Sequence, residues 1–372
     1  MTGTRTRKTY VVLLPTHKTL ATHEVVTHQA LAEKLATLLG AEFAGLHDSA
    51  IHQGPGIYYV PSDTLVGKDH PRQLDIQSED DLFGGLIAEP FMATKALSHA
   101  LPDDATSRTP GWSEDFHRQA ADAVLAGFTA FNKADALQAG ERMLADGPVR
   151  VKPVLATAGR GQVVVSSLEA LQEAVSLQDI DEVNEYGLVL EENLQDVVTY
   201  SVGQVRVAGT LASYYGTQSL TTDNQGETVY GGSHLHLVRG EYEALLQLDL
   251  DDAVRQAVQQ ALAYEKAAFA CFPGFIASRR NYDIAQGTNS RGQRCSGVLE
   301  QSWRIGGASP AEIEALLRFA ANPELQQVEV TTHEVYGKTS LPAGAQVLYE
   351  GDDPQVGFIT KFIQVGPHER QQ

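Results

Sequence analysis

The run GVLEQSWRIGG, residues 297–307, constrains the fold more than any other stretch of the chain. It begins as an apolar strand and then presents Glu300, Ser302 and Arg304 before two glycines. Side chains alternate between the two faces of a strand, so these three residues are expected on one face. A carboxylate, a hydroxyl and a guanidinium in one row indicate a strand end that holds a charged ligand.

The N-terminal segments have the pattern of a βαβ unit. Residues 10–15 and 41–46 are short apolar runs typical of buried strands, and residues 23–40 form an amphipathic helical pattern that ends at a glycine. Residues 80–102 predict a further helix that ends at Pro102, and residues 114–144 predict a pair of helices. The later segments mix strand and helix patterns, so the fold class is expected to be α/β in the first part and α+β in the rest.

Composition limits the partners and the compartment. The chain has 372 residues and a formal net charge of -19 that is spread along the sequence, which argues against nucleic-acid and anionic-membrane partners. The N-terminal apolar run is too short for a signal peptide, and no segment is long enough to span a membrane. Only Cys271 and Cys295 occur, without the spacing of a metal knuckle. A small-molecule-binding protein of the cytoplasm is the expectation.

Residues 149–167 have the pattern of a β-hairpin around a glycine-containing turn. Lys152 near the end of the first strand supplies a point charge, and the backbone around Gly159 and Gly161 has the N–H groups that can meet a phosphate. The alternative is a surface hairpin whose Lys152 and Arg160 are solvated. A second signal favours the ligand, because the apolar strand LVLEENL places Glu191 and Glu192 where backbone groups can meet an adenine edge.

Two further clusters carry candidate metal chemistry. Asp283 and Glu300 are predicted on adjacent strands, and a pair of carboxylates offers the oxygen ligands that Mg²⁺ prefers. The alternatives are a solvated acidic face or an ion pair between Glu300 and Arg304. His234 and His236 lie on one face of a strand at a spacing that can bind a metal, but without a third ligand we interpret them as structural or substrate-lining residues.

The order of these motifs resembles the ATP-grasp superfamily, in an uncharacterised bacterial branch of unknown function, over most of the chain. The resemblance implies a Rossmann-like N-terminal domain in residues 1–102, a central subdomain in residues 103–188 and a C-terminal subdomain with a strand-rich tail in residues 189–372, the last two gripping ATP. The residues that match the family fall into three sets. They are the nucleotide-binding residues Lys95, Lys152, Gly159, Arg160, Gly161, Glu191, Glu192, Asn193 and Leu194; the Mg²⁺ ligands Asp283, Glu300 and Ser302; and the catalytic or acceptor-binding residues Arg280, Arg304, Gly306 and Gly307, beside His234 and His236 as substrate-lining residues.

The function that the resemblance implies is an ATP- and Mg²⁺-dependent ligase that joins a carboxylate to an amine through an acylphosphate. The acceptor is an unknown small molecule or peptide, and a homodimer is one open possibility. Two other functions stay open: a nucleotide-binding regulatory protein without turnover, and an ATP-grasp kinase with a non-carboxylate acceptor. Two departures from the family pattern keep the regulatory alternative open: the hydroxyl of Ser302, where relatives have an amide, and the lack of a Glu near Val198 and Thr199, where relatives contact the ribose.

Overall fold

A computed structural model describes residues 7–16, 20–155, 161–367 and 370–371. The strands are, in chain order, β1 (Tyr10–Leu14), β2 (Glu42–Leu46), β3 (Ile57–Pro61), β4 (Leu65–Val66), β5 (Gly85–Ile87), β6 (Gly127–Ala130), β7 (Val149–Pro153), β8 (Val163–Val165), β9 (Leu188–Glu192), β10 (Gln195–Val207), β11 (Thr210–Thr222), β12 (Thr228–Arg239), β13 (Ile276–Ala277), β14 (Arg279–Thr288), β15 (Arg294–Ser302), β16 (Leu325–Tyr336), β17 (Gln346–Asp353), β18 (Gly357–Val365) and β19 (Arg370–Gln371).

The helices lie between these strands. They are α1 (Thr22–Leu39), α2 (His70–Gln73), α3 (Glu114–Ala120), α4 (Lys133–Leu144), α5 (Leu168–Ser176), α6 (Ile180–Tyr186), α7 (Tyr242–Leu246), α8 (Asp252–Cys271) and α9 (Ser309–Ala321), with short 3-10 helices at Pro90–Ala93, Lys95–Ser98 and Ala121–Ala123. None of the helices in the described part of the chain has the length and the hydropathy that a bilayer crossing requires.

The predicted βαβ opening is confirmed. Strand β1 pairs in parallel with β2 on one side and with β3 on the other. Helix α1 buries Leu31, Ala32 and Leu35, and it ends at Gly40, whose left-handed φ of 61° suits a glycine. The carboxyl ends of β1 and β3 therefore lie side by side, where open α/β sheets bind ligands.

The helix predicted for residues 80–102 is wrong. This segment contains strand β5 and two 3-10 helices instead. Gly84 has a φ of +132°, and a Cβ on Gly85 would lie 2.7 Å from the Cβ of Trp303. The two glycines thus let the backbone pass against the 303 segment, where Gly85 N donates to Trp303 O over 2.6 Å. This path brings Lys95, in the second 3-10 helix, to the end of β15.

The helix pair predicted for residues 114–144 is present as α3 and α4, but strand β6, which was not predicted, separates the two helices. Strand β6 pairs with β9 in a four-stranded sheet of order β6-β9-β7-β8. A Cβ on Gly127 would lie 2.7 Å from His99 Nδ1, so this strand needs its glycine. The predicted strand pairing of the hairpin is confirmed, since β7 and β8 pair antiparallel. Residues 156–160, between these strands, lie outside the described part of the chain.

The C-terminal half is built on a sheet of nine strands, eight of them in the order β15-β14-β10-β11-β12-β16-β18-β17, with β19 pairing β16. Helix α8 packs on one face, where Val258 and Tyr264 meet Tyr282 and Ile284. Helices α1 and α9 pack on the other face in a second apolar core. The strands after α9 join the same sheet beside β12, so the C-terminal tail extends the sheet.

Candidate functional site

Asp283 and Glu300 face each other directly across the β14–β15 pair, as the sequence predicts for two adjacent strands. Asp283 Oδ1 accepts a hydrogen bond of 2.7 Å from Gln218 Nε2 on β11. Burial, and then the charge of Glu300, raise the pKa of Asp283 to about 7. Two carboxylates this close repel each other, and a cation between them would remove the repulsion.

Lys95 lies beside the second of these carboxylates. Its Nζ is 3.5 Å from Glu300 Oε2 and 3.4 Å from the carbonyl oxygen of Pro153. The side chain is 5% exposed, and burial lowers the pKa of Lys95 while Glu300 opposes that shift. The contact with Pro153 joins Lys95 to the strand that carries Lys152, so the structure brings both predicted lysines to one region.

Glu191 holds Lys152 inside the four-stranded sheet of β6, β9, β7 and β8, the central sheet of the chain. Lys152 Nζ lies 3.0 Å from both carboxylate oxygens, and His99 Nε2 lies 3.0 Å from Glu191 Oε2. Burial alone would raise the pKa of Glu191, but Lys152 and His99 outweigh it and lower that pKa to about 2. The carboxylate of Glu191 is therefore ionised and positions Lys152, a role that the sequence did not suggest.

Residues Glu191–Leu194, predicted to meet the adenine, form a hinge segment at the β9–β10 junction, in which Glu192 and Asn193 are half-buried and Leu194 is buried. Glu192 Oε1 accepts from Ala126 N over 3.2 Å, and Asn193 Oδ1 accepts from Arg150 Nη2 over 2.7 Å. Leu194 packs in a small apolar cluster beside Ala285 of β14. The hinge thus links the central sheet to the strand that carries Asp283.

A cavity of about 1200 Å³ opens beside the carboxylate pair. Glu300, Ser302 and Arg304 all line it, as expected from the alternation of side chains along a strand. Trp303 is buried in the core. Gln301 also reaches the cavity wall, although its Nε2 donates to Met92 O over 2.7 Å. The remaining predicted residues on the cavity wall are Lys95, Gly306 and Gly307.

Gly306 and Gly307 lead into helix α9. Gly306 N donates to Ser309 Oγ over 3.0 Å at the first turn of the helix. A Cβ on Gly307 would lie 2.6 Å from the ring of Tyr230, so only a glycine fits there. Arg304 Nε lies 3.6 Å from Asp63 Oδ1, which follows β3. The guanidinium therefore sits where the N-terminal unit meets the C-terminal sheet.

A buried ion pair supports this segment from behind. Arg279 Nε lies 3.0 and 2.9 Å from the two carboxylate oxygens of Glu312 on α9. Its Nη1 donates to Ser302 O over 2.9 Å, to Ser302 Oγ over 3.1 Å and to Arg304 O over 2.6 Å. One guanidinium thus fixes the backbone of the row that lines the cavity.

Several residues singled out in the sequence are not brought to the cavity wall. Arg280 Nε lies 3.0 Å from Glu265 Oε2, and its Nη2 donates to Gln204, on the sheet face opposite Arg279. His236 Nδ1 lies 3.3 Å from Glu329 Oε1, and its ring stacks on Tyr215 at 4.9 Å. His234 lies beside His236, Gly161 is exposed, and Gly159 and Arg160 lie outside the described residues. Six further predicted residues do not line the cavity: Lys152, Glu191, Glu192, Asn193, Leu194 and Asp283.

Sequence reasoning missed Gln218, Asp63 and Glu312. Asp63 had a usable signal, because it follows a strand of the parallel sheet at the edge where ligands bind. Gln218 and Glu312 had none, since their partners Asp283 and Arg279 lie 65 and 33 residues away in the chain.

The donor set at the carboxylate pair fits Mg²⁺. In the described part of the chain, no group of three or more His, Cys, Asp or Glu residues is arranged to hold a metal. Mg²⁺ is usually held by one or two carboxylates together with water and substrate phosphates. Asp283 and Glu300 supply the two carboxylates, and a cation between them would offset the repulsion by Glu300 that adds to burial in raising the pKa of Asp283.

Residues 11–363 match the family described as "Protein of unknown function (DUF3182)". The chain belongs to the DUF3182 family. No curated protein matches it. The family match covers the βαβ opening, both lysines, the carboxylate pair and most of the C-terminal strands.

The fold of this DUF3182 chain is similar to that of N5-carboxyaminoimidazole synthetase from Staphylococcus aureus, with 10% identity, a TM-score of 0.54 and coverage of 98% of this chain and 95% of that one. Biotin carboxylase from Campylobacter jejuni is similar at 11% identity and a TM-score of 0.50, with coverage of 96% and 87%. Both neighbours have the ATP-grasp fold, which confirms the fold class predicted for this chain.

Proposed function

We propose that this protein is an ATP- and Mg²⁺-dependent ligase that joins a carboxylate to an amine through an acylphosphate. One observation carries the proposal: Asp283 and Glu300 face each other, Lys95 lies 3.5 Å from Glu300, and Arg304 lines the same cavity. The two fold neighbours support an adenine nucleotide as the ligand, since the names of their structures include ADP and β,γ-ATP.

Some of these residues would bind the nucleotide, and others would bind the metal. Lys95 and Lys152 would neutralise the phosphates, and backbone groups of Glu191–Leu194 would meet the adenine. Asp283, Glu300 and Ser302 would hold Mg²⁺, which supplies positive charge beside the phosphates. Glu191 keeps Lys152 in place before the nucleotide arrives, so little reorganisation is needed on binding.

The remaining groups act on the substrates. A carboxylate oxygen of the first substrate attacks the γ-phosphorus, and ADP leaves with the electron pair of the broken P–O bond. The amine nitrogen then attacks the acyl carbon, and inorganic phosphate leaves with the electrons of the C–O bond and takes up the proton that the amine loses. Arg304 and the backbone N–H groups around Gly306 and Gly307 would stabilise the negative charge that develops on the acyl oxygen.

Thermal unfolding tests the nucleotide. Mg·ATP should raise Tm, because a ligand that binds only the folded state stabilises that state by about 2.7 kcal/mol at 100 times its Kd. Mg·GTP should raise Tm less. A Tm that does not move at millimolar Mg·ATP would remove the basis of the proposal.

Product analysis separates the ligase from its alternatives. A ligase should form a hydroxamate when hydroxylamine replaces the amine, with one ADP and one phosphate released per hydroxamate. A kinase would release ADP and retain the phosphate on its acceptor. A regulatory protein would bind Mg·ATP and release neither product with any carboxylate.

A further inference from the structure

The cavity wall extends beyond the residues of the proposed ligase into the C-terminal strands, for which the sequence suggested no role. These strands contribute a set of polar and apolar side chains to the wall, facing the first turns of α1. The set is His333, Glu334, Tyr336, Leu348, Gln355, Val356, Lys361 and Phe362. The tail of the chain is therefore part of the cavity and not only an extension of the sheet.

Hydrogen bonds fix these strands to α1. Asp353, at the end of β17, accepts from His23 N over 2.9 Å through Oδ2, and its Oδ1 accepts from Gln355 N over 2.8 Å. Further along α1, Lys34 Nζ bonds Gln346 Oε1 at 2.8 Å and Glu314 Oε2 at 2.9 Å. These hydrogen bonds thus hold the C-terminal strands against α1 both at the start of the helix and further along it.

Lys361 is the cation of this wall. It faces Glu334 directly across the β16–β18 pair, with Nζ 3.0 Å from Oε1, and its side chain is 11% exposed. An ammonium group has three donors, and Glu334 is its one ion-pair partner within the described part of the chain. The nearly buried Lys361 therefore has donors to offer to a ligand in the cavity.

His23, which lines the same cavity as Lys361, supplies a second unmatched group. His23 is 8% exposed, and its Nδ1 has no hydrogen-bond partner among the described residues. A buried polar atom without a partner costs roughly 1–3 kcal/mol. A ligand group that bonds both His23 and Lys361 would recover that cost.

The charged groups around His23 and Lys361 favour a ligand group that accepts hydrogen bonds from these two side chains. The three carboxylates near His23 already have internal donors: Glu24 accepts from Ala21 N at 3.2 Å, Asp353 accepts backbone N–H groups, and Glu334 pairs with Lys361. Burial, and then Lys361, lower the pKa of His23.

His28, one turn further along α1, is held neutral by the same surroundings. Burial is the main cause that lowers its pKa to about 4, against the opposing charge of Glu24, and Lys361, Arg304 and His23 add to the lowering. His28, Lys361 and Arg304 all line the same cavity.

We propose that Lys361 and His23 bind a carboxylate of the amine substrate, which is accordingly an amino acid or another amine that carries a carboxylate. The amine group of this substrate then lies toward Arg304. This inference rests on the proposed function, and it makes the C-terminal strands the part of the protein that selects the second substrate.

The test uses the full-length protein saturated with Mg²⁺ and a non-hydrolysable ATP analogue. The probes are the common amino acids, the amides of those amino acids and aminoalkylphosphonates, and Tm and calorimetric Kd are measured. At least one amino acid should bind, and its amide should bind at least tenfold more weakly. Equal binding of acid and amide, binding of phosphonates alone, or no binding by any probe would overturn the inference.

Variants assign the effect to Lys361. Lys361→Met should weaken the amino acid that binds by at least tenfold and leave the Tm shift with the nucleotide analogue unchanged. The double variant Lys361→Met/Glu334→Gln removes both charges and covers the case in which an unpaired Glu334 prevents folding. Lys338→Met, an exposed lysine outside the cavity wall, is the matched control.

Unchanged amino-acid affinity in the folded Lys361 variants would overturn the assignment. This failure is distinguishable from failure of the proposed function, because a wild-type protein that does not bind Mg·ATP fails at the earlier thermal test.

Discussion

Arg279 and Glu312 form an ion pair in which the side chains are 1% and 0% exposed, and the same arginine bonds the carbonyl oxygens of Ser302 and Arg304. Tyr214 adds a hydrogen bond of 2.5 Å to Glu312. The pair therefore joins helix α9 to the strand end that lines the cavity, and it is both a structural element and a support of the site.

Glu312→Gln should lower the free energy of unfolding by roughly 3–5 kcal/mol, because it leaves a buried guanidinium without its counter-charge. Urea unfolding measures the change. Asp115→Asn, in an ion pair whose side chains are 65% and 72% exposed, is the control, with an expected change below about 1 kcal/mol. An equal change in the free energy of unfolding in the two variants would show that the buried ion pair contributes no more to stability than the exposed one.

Arg279→Lys should fold and yet impair turnover. Lysine keeps the charge opposite Glu312 but lacks the planar fork that reaches Ser302 O and Arg304 O together. We expect acceptor-stimulated ADP release to fall at least tenfold while the calorimetric Kd for Mg·ATP changes less than threefold. A parallel loss of both would place Arg279 in nucleotide binding instead.

Gly307→Ala should destabilise the protein, and Gly306→Ala should not. A Cβ on Gly307 would lie 2.6 Å from the ring of Tyr230, which is bonded to Ser233 at 2.7 Å, whereas the nearest atom to a Cβ on Gly306 is 3.6 Å away. Overpacking of this kind costs typically about 1–3 kcal/mol. Thermal unfolding of the two variants side by side checks the difference, and a tolerant Gly307→Ala would mean that Tyr230 moves freely.

The contribution of Glu191 to the stability of the folded protein should be lost at acid pH. The pKa of Glu191 in the folded state is about 2, below the ordinary glutamate value of 4.5, so the folded state binds the proton more weakly than the unfolded chain. The stabilisation is present above about pH 4.5 and is lost as the pH falls toward 2, and it amounts to at most roughly 3 kcal/mol.

Comparison of the wild type with Glu191→Gln isolates this contribution. The difference in the free energy of unfolding should be large at pH 6 and should shrink between pH 5 and pH 3, measured by urea titration. Glu173→Gln, an exposed position on α5, should differ little from the wild type across that range. A difference that is constant with pH would show that Glu191 is not ionised against Lys152.

The strand pattern predicted the arrangement of the residues around Glu300, because that arrangement depends on the local alternation of side chains along a strand. Glu300, Ser302 and Arg304 share one wall, and Asp283 faces Glu300, as adjacent strands require. The helical pattern of residues 80–102 failed because a long-range contact outweighed it: the two glycines at 84 and 85 pass against Trp303, 218 residues away from the second of them.

The resemblance to a known family supplied Lys95, and the hairpin pattern supplied Lys152, but neither predicted what holds these two lysines. The bond between Lys152 and Glu191 joins residues 39 apart, and the cavity wall at Lys361 depends on how the last strands join the sheet. Such pairings are set by tertiary packing, so they leave no local signal in the sequence.

The measurement that tests the account most directly compares nucleotide affinity and turnover in Glu300→Gln, with Glu227→Gln at an exposed turn as control. Calorimetry gives the Kd for Mg·ATP, and ADP and hydroxamate release give turnover. We predict that Glu300→Gln still binds the nucleotide, more weakly, while turnover falls on the order of 100- to 1000-fold, as when one preorganised electrostatic group is removed. Turnover in Glu300→Gln equal to that of the wild type would contradict the account.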